Sequence, residues 1–266
     1  MNIAFWSNVR HQSGVTSSVA LLSVLWTQLY VEEVAITSNH ICSGGLVKRL
    51  CENNVQEKTT SKNTYEYIFG EPEYFRILYS KESATTLWIN DSLRFIPMVG
   101  NERELFGIEG LKGLNKEVGK EECLMIDTAC GCGMSSQKIL EDAEVTVVIF
   151  PPEKERVDAF FQSDTVLKEK SFFIFGNYRS GTACRPTYLT KRYHVPRERI
   201  GVIPYNFGFE QAMKDGSTIS YIAGNMNCST RNTSYRFIRY AKETVNNLRE
   251  YALNRGKIIC GDCEKV

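Results

Sequence analysis

The chain lacks a charge excess of either sign. Thirty-two basic residues stand against thirty-one acidic ones over 266 residues, a net charge of +1. That balance argues against a dedicated polyanion binder, and nucleic acid is not an expected partner. No uninterrupted apolar run approaches the roughly 20 residues that a membrane-spanning helix needs. The longest candidates, Val19 to Trp26 and Val145 to Pro152, have the length of core elements. The opening Met1-Asn2-Ile3-Ala4-Phe5-Trp6 has neither the basic start nor the long apolar stretch of a secretory signal, so the expected address is the cytoplasm. A staple-like cysteine pattern is missing too. The nine cysteines are odd in number and irregular in spacing, which suits reduced thiols in a reducing compartment. No linker, repeat or low-complexity segment divides the chain, and one domain over residues 1–266 is the expected organisation.

What is present is a series of short apolar runs that each end on a polar or turn residue. Ile3 to Ser7 reads as a buried strand and Asn8 to Gly14 as a turn. Thr16 to Tyr30 reads as a helix, with apolar residues at Val19, Leu22, Leu25, Trp26 and Leu29. The hydroxyls of Thr16, Ser17 and Ser18 stand where that helix begins and are expected to cap it. Val34 to Thr37 reads as a second strand, Cys42 to Gly45 as a loop, and 52–85 as surface helices and loops. Leu87 to Asn90 and Leu93 to Met98 read as strands that could pair as a hairpin, and Glu102 to Glu117 as a helix. Four clearer strands follow. Cys123 to Ile126 ends at Asp127, Val145 to Phe150 at a Pro-Pro pair, Phe172 to Phe175 at Gly176-Asn177, and Ile200 to Ile203 at Pro204-Tyr205-Asn206. Strands apolar on both faces and separated by helices predict an α/β fold, a mostly parallel twisted sheet with helices on both faces. Asn225 to Thr233 reads as a loop and Ser234 to Asn254 as an amphipathic helix.

In such a sheet ligands bind at the carboxyl ends of the strands, and a loop between the first strand and first helix offers backbone N–H groups to phosphate. The order of the strand-end motifs resembles the ParA/MinD family of deviant Walker ATPases, whose fold is the SIMIBI-type P-loop NTPase. The likeness runs over most of the chain. That family opens with strand, Lys-Gly-Gly-x-Gly-Lys-Thr-Thr, helix; here the residues read Arg10-His11-Gln12-Ser13-Gly14-Val15-Thr16-Ser17. Cys123 to Ala129 is similar to the run closing on the Asp-Thr of the second switch. Val147 to Glu153 resembles the strand before a Pro-Glu helix start, Phe173 to Asn177 the strand ending in an adenine-binding Asn, and Gly201 to Asn206 the Ile-Pro segment beside the base.

The resemblance implies ATP or ADP with Mg2+. It implies phosphate on Arg10, Gln12, Ser13, Gly14, Val15, Thr16 and Ser17, magnesium at Thr16 and Asp127, and the base at Asn177, Pro204, Tyr205 and Asn206. It also implies a homodimer. The departures carry their own expectation. The loop lysine is replaced by Val15, the signature lysine falls on Arg10, two glycines become His11 and Gln12, and the first switch reads Ser38-Asn39-His40 without a carboxylate. Phosphoryl transfer relies on positioning and charge stabilisation, so hydrolysis is expected to be slow or absent. The degenerate loop most resembles the CpaE/TadZ branch, which marks where pili assemble and implies pilus or secretion machinery as partners.

Two alternatives stay open on sequence: an interaction scaffold that has lost nucleotide, and a redox or metal protein using Cys130 and Cys132. Cys260-Gly261-Asp262-Cys263 reads as an exposed thiol pair on a mobile tail. The histidines His11, His40 and His194 are scattered, and the basic residues from Arg236 to Arg255 read as a solvated helix face.

Overall fold

The computed structural model describes residues 1–9, 13–39, 44–51, 86–96, 118, 122–131, 133–163 and 166–263, with side chains to residue 255. The expected surface elements of 52–85, the helix of 102–117 and the residues Arg10, His11, Gln12, His40, Cys42 and Cys132 lie outside the described residues.

Eight strands form one sheet in the order β3-β4-β2-β5-β1-β6-β7-β8. They are β1 (Asn2–Trp6), β2 (Val34–Ser38), β3 (Leu87–Trp88), β4 (Leu93–Phe95), β5 (Cys123–Asp127), β6 (Val145–Phe150), β7 (Ser171–Tyr178) and β8 (Ile200–Pro204). Every pairing is parallel except β3 with β4, where Leu87 faces Phe95 and Trp88 faces Arg94. The central strands β1, β5 and β6 are buried almost throughout, which is why their sequences read as unbroken apolar runs.

Helices cover both faces. One face carries α1 (Val15–Tyr30), α2 (Gly44–Leu50), α6 (Phe207–Lys214), α7 (Thr218–Asn225) and α8 (Tyr235–Cys263). Trp26, Leu46, Phe209, Ile222, Phe237 and Val245 join β1 and β5 residues there in the larger core. The other face carries α3 (Met134–Asp142), α4 (Lys154–Gln162) and α5 (Pro186–Tyr193), which bury Ile139, Phe160 and Leu189 over Phe150 and Phe173. Phe150, Phe160, Phe161 and Phe173 form an aromatic cluster, the Phe150 and Phe173 rings stacked with centroids 6.0 Å apart. Among the described residues no helix is long and apolar enough to cross a membrane.

Four local expectations are corrected. Gly44 and Gly45 are not loop but open α2, because burial of Leu46, Val47 and Leu50 outweighs the low helix propensity of glycine. β7 does not stop at Phe175; it runs on to Tyr178 through a register shift. The last helix does not end near Asn254; its backbone stays helical through Cys260 to Cys263, so this part of the tail is not an irregular extension. The α1 hydroxyls do not cap their helix, as described next.

Candidate functional site

β1 delivers the chain at the centre of the sheet's carboxyl edge. The buried Ser7 follows, its Oγ accepting from the Val9 N–H at 3.2 Å. The chain enters α1 through Gly14 in the left-handed region (φ 78°), a conformation glycine adopts without steric cost. Gly14 is the N-cap residue and no side chain caps the helix start. Ser18 turns inward and donates its Oγ–H to the Gly14 carbonyl at 2.8 Å. The positive end of the α1 dipole therefore faces the edge of the sheet, the arrangement that attracts anions. Val15, the first residue of α1, is a core residue.

The Thr16 hydroxyl points along the edge and donates to Asp127 Oδ2 at 2.9 Å. Asp127 closes β5, directly beside Phe5 of β1, and is buried. A hydroxyl and a carboxylate held together at a helix start offer two oxygen ligands. A magnesium ion takes one or two protein oxygens when phosphates and waters supply the rest, so the pair fits that ion.

The loop is docked against the next strand ends. A Cβ on Gly176 would stand 2.4 Å from the Ser13 carbonyl oxygen, so only glycine allows this approach. Asn177 has φ 50° and sets its amide group 3.5 Å from where a Gly14 Cβ would stand. β8 ends at Pro204, and the Tyr205 N–H donates to the Tyr178 carbonyl at 2.9 Å, which draws this turn towards β7. Asn206 does more than line the cleft. Its Oδ1 accepts from the Phe209 N–H and from the Tyr221 hydroxyl, each at 2.8 Å, so it caps α6.

Between these elements lies a cleft of about 510 Å³. It brings together Gly14 and Ser17 with Asn177, Pro204, Tyr205 and Asn206. Pro151 and Pro152, after β6, line it as well, and Ile203, Phe209 and Met213 give it an apolar wall. That size and mixture suit a small organic ligand with a flat apolar part and a charged part. At the wall the Arg179 guanidinium lies 4.1 Å from the Tyr205 ring centroid. The Tyr205 hydroxyl donates to Glu210 at 2.8 Å, and Lys214 pairs with Glu210 at 2.7 Å. Hydrogen bonds from Lys214 and then Tyr205 hold the Glu210 carboxyl below its ordinary value.

The segment after Asp127 is held tightly. Thr128 N–H donates to the Phe5 carbonyl at 3.0 Å, and the Trp6 indole to the Gly131 carbonyl at 3.1 Å. Asn39, directly after β2, accepts from the Ala129 N–H at 2.5 Å and donates to Ser136 Oγ at 3.3 Å. Its side chain ties the segment after β2 to the segment after β5. Cys130 is half-buried in this loop. Among the described residues no group of three or more His, Cys, Asp or Glu side chains stands ready for a metal ion.

Sequence reasoning missed Arg49, Arg179 and Lys214, all of which line the cleft. Arg179 is two residues beyond Asn177, so its proximity to that strand end was a usable signal. Arg49 and Lys214 reach the cleft only through helix packing, which local sequence does not reveal.

A parallel sheet of this order, with a glycine-turned loop feeding the first helix and a cleft at the strand ends, defines a SIMIBI-type P-loop NTPase fold. No family model matches the chain, and no curated protein matches it. Solved structures do. The septum site-determining protein MinD of Pyrococcus horikoshii, complexed with Mg-ADP, superposes with a TM-score of 0.65 at 15% identity over 96% of this chain and 99% of that one. MinD of Aquifex aeolicus gives 0.64 at 12% identity, over 94% and 97%. A putative plasmid partition protein of Borrelia burgdorferi, bound to AMPPNP, gives 0.60 at 12% identity, over 94% and 98%. The chain shares the fold of these MinD and ParA-family structures over more than nine-tenths of its length.

Proposed function

We propose that the protein is a nucleotide-binding positioning protein of the ParA/MinD type, which holds ATP or ADP with magnesium and hydrolyses ATP slowly or not at all. The observation that carries this reading is the cleft itself, which runs from Gly14 and Ser17 at the uncapped start of α1 to Asn177 and Pro204–Asn206; Thr16 and Asp127 do not line it but are paired with each other at that helix start. Phosphates would be held by the loop from Arg10 through Gln12, Ser13, Gly14, Val15, Thr16 and Ser17, largely through backbone N–H groups. The Thr16 hydroxyl and Asp127 would hold magnesium, which when bound neutralises the charge of the outer phosphates. Asn177, Pro204 and Tyr205 would flank the base, and Asn206 would fix the α6 turn beside it.

Two features support weak hydrolysis. Val15 belongs to the hydrophobic core, so no loop lysine reaches the outer phosphates from that position. The first-switch residue Asn39 carries no carboxylate to handle water, and its amide is bonded to Ala129 and Ser136. A protein that binds nucleotide without turning it over suits a marker role. We place it as a homodimer that recruits pilus or secretion machinery, in keeping with the resemblance of its loop to the CpaE/TadZ branch.

Sedimentation with ATP·Mg2+, with ADP·Mg2+ and without nucleotide, alongside phosphate release, tests this. The expected result is a dimer favoured by ATP and phosphate release close to background. Rapid steady release would overturn the slow-hydrolysis part. An unchanged mass in all three states, with no nucleotide retained, would favour a scaffold instead.

A further inference from the structure

The cleft is lined by three cations, Arg49, Arg179 and Lys214, and by the carboxylates of Glu153 and Glu210. Most of these charges are already committed. Lys214 is paired with Glu210, and Glu153 lies 3.5 Å from Arg156. Arg179 is stacked on Tyr205, whose hydroxyl is in turn bonded to Glu210. Arg49 differs from the others. Among the described residues its guanidinium has no carboxylate and no aromatic ring against it.

Its backbone is nonetheless fixed. α2 buries Leu46, Val47 and Leu50 on one side and leaves Lys48 and Arg49 exposed on the other. The hydroxyl of the buried Thr218 donates to the Arg49 carbonyl at 2.7 Å. α2 packs against both α1 and α6, the helices that wall the cleft. The result is an anchored helix turn whose Arg49 lines the same cleft as Gly14, Ser17 and Ser18, with no ion-pair or ring partner for its guanidinium among the described residues. A guanidinium presents five N–H donors in a planar fork that matches phosphate oxygens, and it stays charged at any physiological pH.

We propose that Arg49 is a phosphate-binding residue, supplying from α2 the positive charge that the phosphate loop lacks at Val15. The inference rests on the nucleotide-binding reading and names the residue that sets the preference of that site for charged over uncharged ligands. Arg49 therefore discriminates by phosphate, and contributes little to holding the nucleoside part.

The test is a ladder of adenosine, AMP, ADP and ATP with magnesium, titrated against the full chain and its Arg49→Ala, Arg49→Lys and Lys48→Ala variants. Lys48 lies next to Arg49, carries the same charge and does not line the cleft, so its variant controls for net charge. Loss of one charge-assisted contact should weaken phosphate-bearing ligands by about tenfold in Arg49→Ala. Adenosine should bind it as it binds the wild type, and Arg49→Lys should fall between. Rising salt should weaken ATP less in Arg49→Ala than in the wild type. Arg49→Ala with wild-type affinity across the ladder, or an equal loss in Lys48→Ala, would overturn the role of Arg49 while leaving the nucleotide reading intact. Absence of binding by the wild type to every member of the ladder would overturn both.

Discussion

In a Gly176→Ala variant the new Cβ would stand 2.4 Å from the Ser13 carbonyl oxygen and 3.0 Å from Ile149 Cγ2. The nearer contact is backbone, so no side-chain rotation relieves it. Either the loop before α1 lifts away from β7 or β7 shifts within the sheet. Forcing extra volume into a close-packed region costs about 1–3 kcal/mol. For a domain of this size each kcal/mol moves the melting temperature by about 2–4 °C, so the midpoint should fall by roughly 2–12 °C. A matched control is Gly224→Ala in α7, where nothing lies within 4 Å of an added Cβ. There the helix should gain up to about 1 kcal/mol. Thermal melts by circular dichroism read both effects, and nucleotide titration reads the loop, whose affinity should drop in Gly176→Ala alone. Wild-type melting and wild-type affinity in Gly176→Ala would refute the docking of the loop on β7.

Other consequences are as direct. Asn39→Ala removes the side chain that accepts from the Ala129 N–H and donates to Ser136, and should cost about 1–3 kcal/mol. Amide exchange should quicken at residues 129–133 and stay unchanged in β6. The Glu32 carboxyl is pushed up by burial, but hydrogen bonds from Arg249 and Trp26 outweigh this and hold it below its ordinary value. A depressed carboxyl contributes stability above its unfolded pKa, about 4.3, and loses it as pH falls through the folded value. Denaturant midpoints should therefore fall below about pH 4 in the wild type, and less steeply in Glu32→Gln. Burial pushes the Cys123 thiol up to about 12 and those of Cys51 and Cys184 up to about 11. At pH 8 a thiol reagent followed by peptide mapping should leave all three unmodified in the folded protein and modify all three in denaturant.

The sheet was legible because its strands are buried on both faces. β6 lies at Val145–Phe150 as read, and β5 closes on Asp127. The Thr16–Asp127 pair followed from two motifs whose strands are neighbours. What was illegible depended on packing between distant segments. Gly176-Asn177 looks like a terminator, yet the strand continues because Tyr205 bonds to Tyr178 across the β8 turn. Thr16, Ser17 and Ser18 look like caps, yet one hydroxyl bonds to Asp127 and another turns back on Gly14. Asn206 was read as a neighbour of the base, and its side-chain Oδ1 is occupied as the α6 cap. Arg49 gave no signal, since a seven-residue helix opening with two glycines does not show which wall it will join.

The most direct measurement is equilibrium binding of ATP and ADP, with magnesium and with chelator, to the wild type and to the Thr16→Ala and Asp127→Ala variants. Micromolar binding that chelator and both variants weaken is the expected result. No binding by the wild type at millimolar nucleotide would contradict it.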